Sequence, residues 1–303
     1  MRWIIGSCLI SLFIGCHSGL NGPDVSSIPV KLSVQRFEQD FFQQDSNKLN
    51  TSLDPLLARY PGFGENFMNN ILNADPRWSD DTIATYVKGF LSAYRPVYDT
   101  AEMLYRDFKP YENEIRRGLQ HCKYYFPKYA LPEKIITYIG PLDGYGDILT
   151  EEAIVVGLHH HLGNFSMYRL PWIVETYPDY ISRRFEPGTI AVNAMSNLVN
   201  DMYPIKDEEK SLVLQMVERG KRLYLLSLLL PDKEPYRLIG YSEQQLKACY
   251  QHEAEIWDLF LQNQLLRNTD LNLIINYIGE SPKTVELGED APGNIGSFTG
   301  WQI

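Results

Sequence analysis

Residues 135–163, IITYIGPLDGYGDILTEEAIVVGLHHHLG, contain two apolar runs that are typical of strands, at residues 135–139 and 153–158. The second run ends in three consecutive histidines, His159 to His161. On each side of this stretch, roughly a hundred residues show the apolar spacing of helices. The sequence therefore predicts a mainly helical α+β fold, in which helices surround a small β-sheet with a polar rim.

The remaining elements follow from local patterns. Val30, Leu32 and Val34 alternate with polar residues, which predicts a short, half-buried strand. Ser79 and Ser242 are predicted to cap helices. Helices are expected at residues 48–60, 64–72, 80–94, 97–108, 111–126, 170–176, 188–202, 206–230, 242–266 and 270–278. The apolar run at residues 223–230 should be buried on most sides. No low-complexity linker divides residues 30–303, so we predict a single domain.

The first sixteen residues differ from the rest of the chain. Arg2 precedes an apolar run at residues 3–14, which is shorter than the roughly 20 residues of a membrane span and typical of a signal peptide. The run ends in Gly15-Cys16, which resembles a bacterial lipobox, although Phe13 stands where that motif usually has Leu. We predict that residues 1–15 are a signal peptide, that Cys16 is lipidated, and that residues 16–29 are a flexible tether. The alternative is a secreted protein that is cleaved at another position.

Composition restricts the classes of function. A hydrophobic content of 44% can build a substantial core, and a net charge of -10 argues against nucleic acid as a partner. Two cysteines, Cys122 and Cys249, remain after removal of the leader and lipidation of Cys16. An oxidising envelope permits a disulfide between them, but cysteine in a helical pattern is often a small buried hydrophobe.

The three histidines suggest a metal site. On a strand, His159 and His161 would share a face, and imidazole is a common zinc ligand. Two ligands do not complete a site, and the alternative is that these histidines are polar residues at the end of a strand near the surface. The sequence favours that alternative, so we predict no metal and no cofactor. A metal-dependent hydrolase that uses His159, His161 and an acidic residue stays as the competing hypothesis.

Other polar or unusual residues carry weaker signals. Asp143, Asp147, Glu151 and Glu152 flank the strands without the spacing of an EF-hand, so we expect them to be solvated turn residues. Gly220 lies in the middle of a predicted helix, where glycine costs about 1 kcal/mol relative to alanine. Close packing against another element would explain its presence.

Several segments carry a family resemblance when they are taken together. They are the lipobox, VKLSVQRFEQDFF (30–42), IVVGLHHHLG (154–163), ERGKRLY (218–224), EAEIWDLF (253–260) and GNIGSFTGWQI (293–303). Over nearly the whole mature chain, the sequence resembles the gliding-motility lipoprotein GldB family of the Bacteroidetes. The resemblance implies an envelope lipoprotein, associated in gliding members with the motility and secretion machinery. The family usually continues beyond the last segment, in which Gly296 and Gly300 would let a helix pack closely.

The order of elements is in turn similar to that of zinc metallopeptidases with an H-E-x-x-H helix and a downstream glutamate. The corresponding helix here, at residues 189–202, has Asn193 and Asn197 in place of the two histidines and Ala194 in place of the general base. Neutral asparagine is a poor zinc ligand, and alanine cannot accept a proton from water. The resemblance thus implies a peptidase-like layout that has lost its metal and its base.

From these resemblances we expect a degenerate site and a non-catalytic role. The candidate residues of that site are Asn193, Asn197, Glu218, His159 and His161. The expected partners are the membrane, through the lipid, and other envelope proteins. Residues 17–24 lack the acidic run that directs many lipoproteins of this phylum to the cell surface, so we expect attachment to the outer membrane, facing the periplasm. A lipoprotein that binds peptides or glycans is a further alternative.

Overall fold

A mixed β-sheet forms where the sequence predicts it. The computed structural model describes residues 22–206, 210–288 and 290–303. Its strands are β1 (Ser33–Arg36), β2 (Lys134–Tyr138), β3 (Ile148–Leu149) and β4 (Ala153–Gly157). The two central predictions are confirmed. The strand expected from Val30 begins at Ser33, because the Arg116 guanidinium donates hydrogen bonds to the carbonyls of Val30 and Leu32.

The order of strands in the sheet is β1-β2-β4-β3. β1, β2 and β4 are parallel, with Val34 opposite Ile135 and Ile136 opposite Val155. β2 and β4 are central strands covered on both faces, which explains their unbroken apolar runs. β3 is an antiparallel edge strand that pairs with β4. Because β3 runs opposite to β4, the residues just before β3 lie at the carboxyl end of β4.

Helices precede and follow this sheet. Before β2 they are α1 (Phe37–Phe42), α2 (Leu49–Leu57), α3 (Phe63–Asn66), which continues as a π-helical turn at Phe67–Ile71, α4 (Asp80–Ala93), α5 (Arg95–Leu104) and α6 (Lys109–Tyr125). After β4 they are α7 (Pro171–Thr176), α8 (Asp179–Ser182), α9 (Ile190–Met202), α10 (Leu212–Leu229), α11 (Pro235–Ile239), α12 (Glu243–Gln251), α13 (Glu253–Gln262), α14 (Leu271–Ile278) and α15 (Ile295–Gln302). The predicted α+β, mainly helical fold is confirmed.

Several predicted helices have different bounds. Those expected to end at residues 60 and 108 end at Leu57 and Leu104. The helix expected from residue 206 begins at Leu212, and residues 207–209 lie outside the described residues. The helix expected over residues 242–266 is broken at His252, where φ is -113° and ψ is 27°, so α12 and α13 are separate. The capping hydrogen bonds of Ser79 and Ser242 form as predicted.

In the part of the chain that the structure describes, the core consists of two hydrophobic clusters. The larger one surrounds the sheet, where Phe37 packs on Phe67 with ring centroids 4.7 Å apart. The smaller one lies among α10 and α12 to α15 and includes Phe260 and Phe298. The apolar run in α10 is largely buried as predicted, but Tyr224 within it is 54% exposed.

Close contact between α10 and α15 depends on glycine. A Cβ on Gly220 would lie 2.0 Å from the carbonyl oxygen of Gly300, and a Cβ on Gly300 would lie 1.8 Å from that of Met216. Real Cβ atoms do not approach backbone this closely. The packing predicted for Gly220 and for Gly300 is therefore confirmed, and the two residues belong to the same helix crossing.

The two cysteines do not pair in the structure. Cys122 and Cys249 are free and buried. Cys122 belongs to the larger cluster and Cys249 to the smaller one, and burial raises the pKa of both thiols to about 12. Each cysteine therefore packs as a small hydrophobe, and the disulfide that the sequence permits does not form.

Candidate functional site

The three histidines follow the carboxyl end of β4 and are buried in the interior. Leu158–His160 is a 3-10 turn, which replaces the continued strand that would have placed His159 and His161 on one face. The exposed fractions of His159, His160 and His161 are 0%, 6% and 0%. The expectation of polar strand-end residues near the surface is therefore wrong. Because the backbone turns at Gly157, the three rings meet different partners.

His159 uses both ring nitrogens in hydrogen bonds to the backbone. Its Nδ1 accepts from the Gly140 N–H at 3.1 Å, so Nε2 carries the proton and donates to the Tyr145 carbonyl at 2.9 Å. Burial, with a contribution from the adjacent His160, holds the pKa of His159 well below its usual value. This imidazole is neutral and has no free lone pair to offer to a metal or a substrate.

His160 packs as an aromatic ring. It stacks on Phe185 with centroids 4.3 Å apart and planes 7° apart, and it lies edge-on to Tyr177. Its Nε2 donates to the Leu142 carbonyl at 3.0 Å. Burial lowers the pKa of His160 to about 4, so this ring is also neutral near neutral pH.

His161 forms a buried ion pair with Asp147. The distance between Nε2 of His161 and Oδ2 of Asp147 is 2.8 Å, and the side chains are 0% and 5% exposed. On the other side of the ring, Nδ1 faces the Glu186 carbonyl at 3.2 Å and the Thr189 hydroxyl oxygen at 3.1 Å. The Thr189 hydroxyl proton is directed at backbone carbonyls, so its oxygen accepts from His161. Both nitrogens of His161 therefore donate, and the ring is an imidazolium.

Asp147 is the residue on which the other candidates converge. Its Oδ1 accepts from the Gly157 N–H at 2.9 Å, and its Oδ2 accepts from the Asn193 amide at 2.8 Å. The Asn197 amide donates to the Asp147 backbone carbonyl at 3.1 Å. These donors identify the side chain as an ionised carboxylate. We call Asp147, His161, Thr189, Asn193 and Asn197 the Asp147 network.

The charge state of the pair follows from competition between burial and attraction. Burial opposes both charges, but the attraction and hydrogen bond between them outweigh it. The pKa of His161 is therefore raised, and the pKa of Asp147 is lowered. Asp147 was expected to be a solvated turn residue, and that expectation is wrong, because β3 brings it to the end of β4 beneath α9.

Tyrosines hold the backbone of the histidine turn. The Tyr105 hydroxyl donates to the His161 carbonyl, and the Tyr168 hydroxyl donates to that of His159 at 2.5 Å while accepting from the Leu162 N–H. The Tyr138 hydroxyl donates to the carbonyls of the loop before Asp147. The turn is thus fixed by hydrogen bonds as well as by packing, which accounts for several of the chain's many tyrosines.

A comparison with protein-family models decides the relationship. The model of the gliding motility protein GldB matches residues 19–303. The chain belongs to the GldB family. The resemblance in the sequence is thereby confirmed, and membership indicates a function related to gliding motility and a location in the cell envelope. Comparison with curated proteins and with solved structures found no match.

In this GldB-family chain, the structure brings together part of the predicted degenerate site. His161, Asn193 and Asn197 meet at Asp147, and His159 lies next to them in the turn. Glu218 lies on α10, where its carboxylate contacts Lys221 at 3.1 Å and Arg222 at 3.7 Å. The similarity to zinc peptidases stays a prediction. Within the described residues, no group of three or more His, Cys, Asp or Glu side chains is arranged to hold a metal ion.

The predicted signal peptide, Cys16 and the predicted tether up to residue 21 lie outside the described residues. Residues 22–29 of that tether are described and pack on α6: Val25 is buried, and the side chains of Gln120 and Lys123 donate to the carbonyls of Ile28 and Pro29. The prediction of a flexible tether is therefore wrong for residues 22–29. Among the helices that the structure describes, none combines the length and the hydropathy needed to cross a membrane.

Proposed function

We propose that this protein is a lipid-anchored, non-catalytic component of an envelope machinery related to gliding motility or secretion. Membership of the GldB family supports the link to motility. The leader that ends at Cys16 supports anchoring by lipid in the outer membrane, with the folded body in the periplasm. In this proposal the protein acts through contacts with envelope proteins.

The observation that carries the non-catalytic part is that the candidate groups are used by the protein itself. A metal ligand or general base needs a lone pair directed at its target. Both ring nitrogens of His159 and of His161 are instead engaged by the protein, and the Asp147 carboxylate accepts three hydrogen bonds. Ala194, at the position of the peptidase base, is buried and has no proton acceptor. The network therefore supports a structural role.

Replacement of Cys16 by serine should abolish lipidation. Because the thiol is the acceptor of the lipid, the Cys16→Ser protein should incorporate no radiolabelled palmitate and should leave the membrane fraction. Cys8→Ser is the matched control, since it changes a cysteine of the leader that is predicted to be removed. That variant should be labelled like the unmodified protein. Retained label in Cys16→Ser would exclude this anchor.

Purified protein should contain no stoichiometric zinc and should not cleave denatured casein. The reason is that His159 and His161 have no free nitrogen for a metal. The His159→Ala variant should show only a loss of stability, of about 1–3 kcal/mol, from its unpaired buried partners. Metal analysis and a casein assay check this. Stoichiometric zinc and casein cleavage that both disappear in His159→Ala would establish the hydrolase alternative instead.

A further inference from the structure

Four tyrosines lie near one another at the ends of α6 and α9 and on α10, and three of them are exposed. They are Tyr124, Tyr125, Tyr203 and Tyr224, which we call the tyrosine face. The exposed fractions of Tyr124, Tyr203 and Tyr224 are 52%, 47% and 54%. The rings of Tyr124 and Tyr125 meet edge to face with centroids 5.0 Å apart. Burial raises the pKa of the Tyr125 phenol, and the nearby Tyr124 and Tyr224 phenols contribute to that rise.

Separate elements contribute to this face. α6 ends at Tyr125, α9 ends just before Tyr203, and Tyr224 lies on α10. The Tyr203 ring lies 6.2 Å from that of Phe126, and the Arg222 guanidinium donates to the Tyr203 carbonyl. The face is therefore held by the packing of α6, α9 and α10 rather than by a single exposed loop.

The chain enters the fold beside this face. A Cβ on Gly22, the first described residue, would lie 2.9 Å from Pro231 and 3.2 Å from the ring of His121. Tyr125 follows His121 by one helical turn, a rise of about 6 Å. Tyr224 lies five residues, a rise of about 8 Å, before the end of α10 at Leu229, and Pro231 follows two residues beyond that end. The segment that connects the fold to Cys16 thus starts within about a helical turn or two of the exposed tyrosines.

The connection to Cys16 is short. The six residue steps from Cys16 to Gly22 can span at most about 20 Å, even when the chain is fully extended. If Cys16 carries the lipid, as the proposed function states, this end of the body stays within that distance of the bilayer surface. The far end of α6 lies about 25 Å from Tyr125, since the helix has 17 residues.

The side chains suit a lipid headgroup layer. Tyrosine combines an apolar ring with a polar hydroxyl and is enriched where a membrane meets water. Lys123, next to Tyr124, is exposed and donates to the Pro29 carbonyl of the entering chain, and Lys128 is exposed beyond the end of α6. Lysine extends its ammonium group towards headgroup phosphates from such positions.

We infer that the tyrosine face is the surface by which the anchored protein lies on its membrane. The tyrosine rings enter the headgroup layer and Lys123 contacts phosphates, so the lipid on Cys16 and the folded body bind the same bilayer. The end of the body that carries α5 then points away from the bilayer and is available to protein partners. This inference rests on the proposed lipid anchor and adds an orientation to it.

Depth-dependent quenching on vesicles tests the orientation. Full-length lipidated protein would be reconstituted in vesicles of phosphatidylethanolamine and phosphatidylglycerol, with a polarity-sensitive dye on a cysteine introduced by Tyr224→Cys. Met103→Cys is the control, because Met103 is 68% exposed on α5, which joins the opposite end of α6. Labelling is selective, since Cys122 and Cys249 are buried with raised pKa values. Tyr124→Cys repeats the measurement if Tyr224→Cys does not fold.

Lipids that carry a quencher just below the headgroup should quench the dye at residue 224 at least about threefold more than at residue 103, because interfacial side chains reach roughly 5–10 Å into the bilayer. Equal quenching at both positions in vesicle-bound protein would overturn the orientation and leave the anchor intact. A dye at residue 224 that is shielded from aqueous iodide but not reached by the lipid quencher would also overturn it, in favour of contact between protein copies. Failure of the protein to float with vesicles, without palmitate on Cys16, would instead refute the proposed function.

Discussion

The Gly220→Ala substitution should destabilise the protein by at least about 3 kcal/mol, the upper range for an overpacked interior. The new methyl group would lie 2.0 Å from the Gly300 oxygen and 2.1 Å from its carbonyl carbon. Neither atom can move by a side-chain rotation, so α10 and α15 would have to separate by more than 1 Å. That separation would loosen the contacts of Met216 and Phe298 in the smaller cluster. Gly300→Ala should have a similar effect, because its Cβ meets the Met216 backbone.

Two other helical glycines provide matched controls. Gly89 is exposed on α4, and a Cβ there would meet nothing within 4 Å, so Gly89→Ala should stabilise the protein by up to about 1 kcal/mol. At Gly118 the Cβ would lie 2.6 Å from the Met195 sulfur, and this flexible thioether can move aside. Gly118→Ala should therefore fall between Gly89→Ala and Gly220→Ala. Chemical denaturation followed by tryptophan fluorescence measures all of them. Equal midpoints for Gly220→Ala and Gly89→Ala would refute the steric argument.

The helix crossing shows what a single sequence can and cannot predict. Gly220 stands out because it lies inside a helix, and Gly300 because Gly296 precedes it by one turn. Each anomaly predicts close packing by itself. The sequence does not show that Gly220 and Gly300 pack on each other, because that contact joins residues 80 positions apart through the arrangement of the whole smaller cluster.

The polar network shows a different limit. Residue type and strand spacing point to His161, and the resemblance to zinc metallopeptidases points to Asn193 and Asn197, whereas the sequence pattern assigns Asp147 to a solvated turn. Its role depends on the antiparallel direction of β3, which periodicity does not predict for two paired residues. The turn at His159 was also missed, because a strand pattern was continued past Gly157, whose backbone leaves the extended region at φ -81° and ψ 85°.

The Asp147→Asn substitution should destabilise the protein by about 3–5 kcal/mol at pH 6, the usual cost of breaking a buried ion pair. The effect should be smaller at pH 8.5. His161 has a raised pKa in the folded state, so its contribution to stability is complete below the unfolded value of about 6.5 and is lost as the pH rises through the folded value. The unmodified protein therefore has less of the ion pair to lose at high pH.

Below pH 6.5, by contrast, the cost of the Asp147→Asn substitution should increase as the pH falls. His159 and His160 are neutral when folded, because burial lowers their pKa values, but they bind protons when unfolded. Each should therefore reduce stability by about 1.4 kcal/mol per pH unit as the pH falls below 6.5, and for His160 this continues down to a pKa of about 4. In Asp147→Asn, burial of His161 is no longer balanced by a carboxylate. His161 should then become a third histidine that is neutral when folded. The stability that the variant loses per pH unit below pH 6.5 should therefore be about half as large again as in the unmodified protein.

Urea denaturation at pH values from 5 to 8.5 measures the free energy of unfolding of the variant and of the unmodified protein. In the difference between the two, the contributions of titratable groups that both proteins share, such as the buried Glu38, cancel. Asp143→Asn is the matched control, since it is the same chemical change on an exposed residue of the same loop, with an expected effect within about 0.5 kcal/mol at every pH. Nitrogen NMR of the imidazole rings should show His161 doubly protonated at pH 7 and His159 and His160 neutral. A cost for Asp147→Asn that is the same at pH 6 and pH 8.5 would mean that His161 is uncharged in the fold. The pair would then be an ordinary hydrogen bond, because only a charged imidazole makes this cost depend on pH.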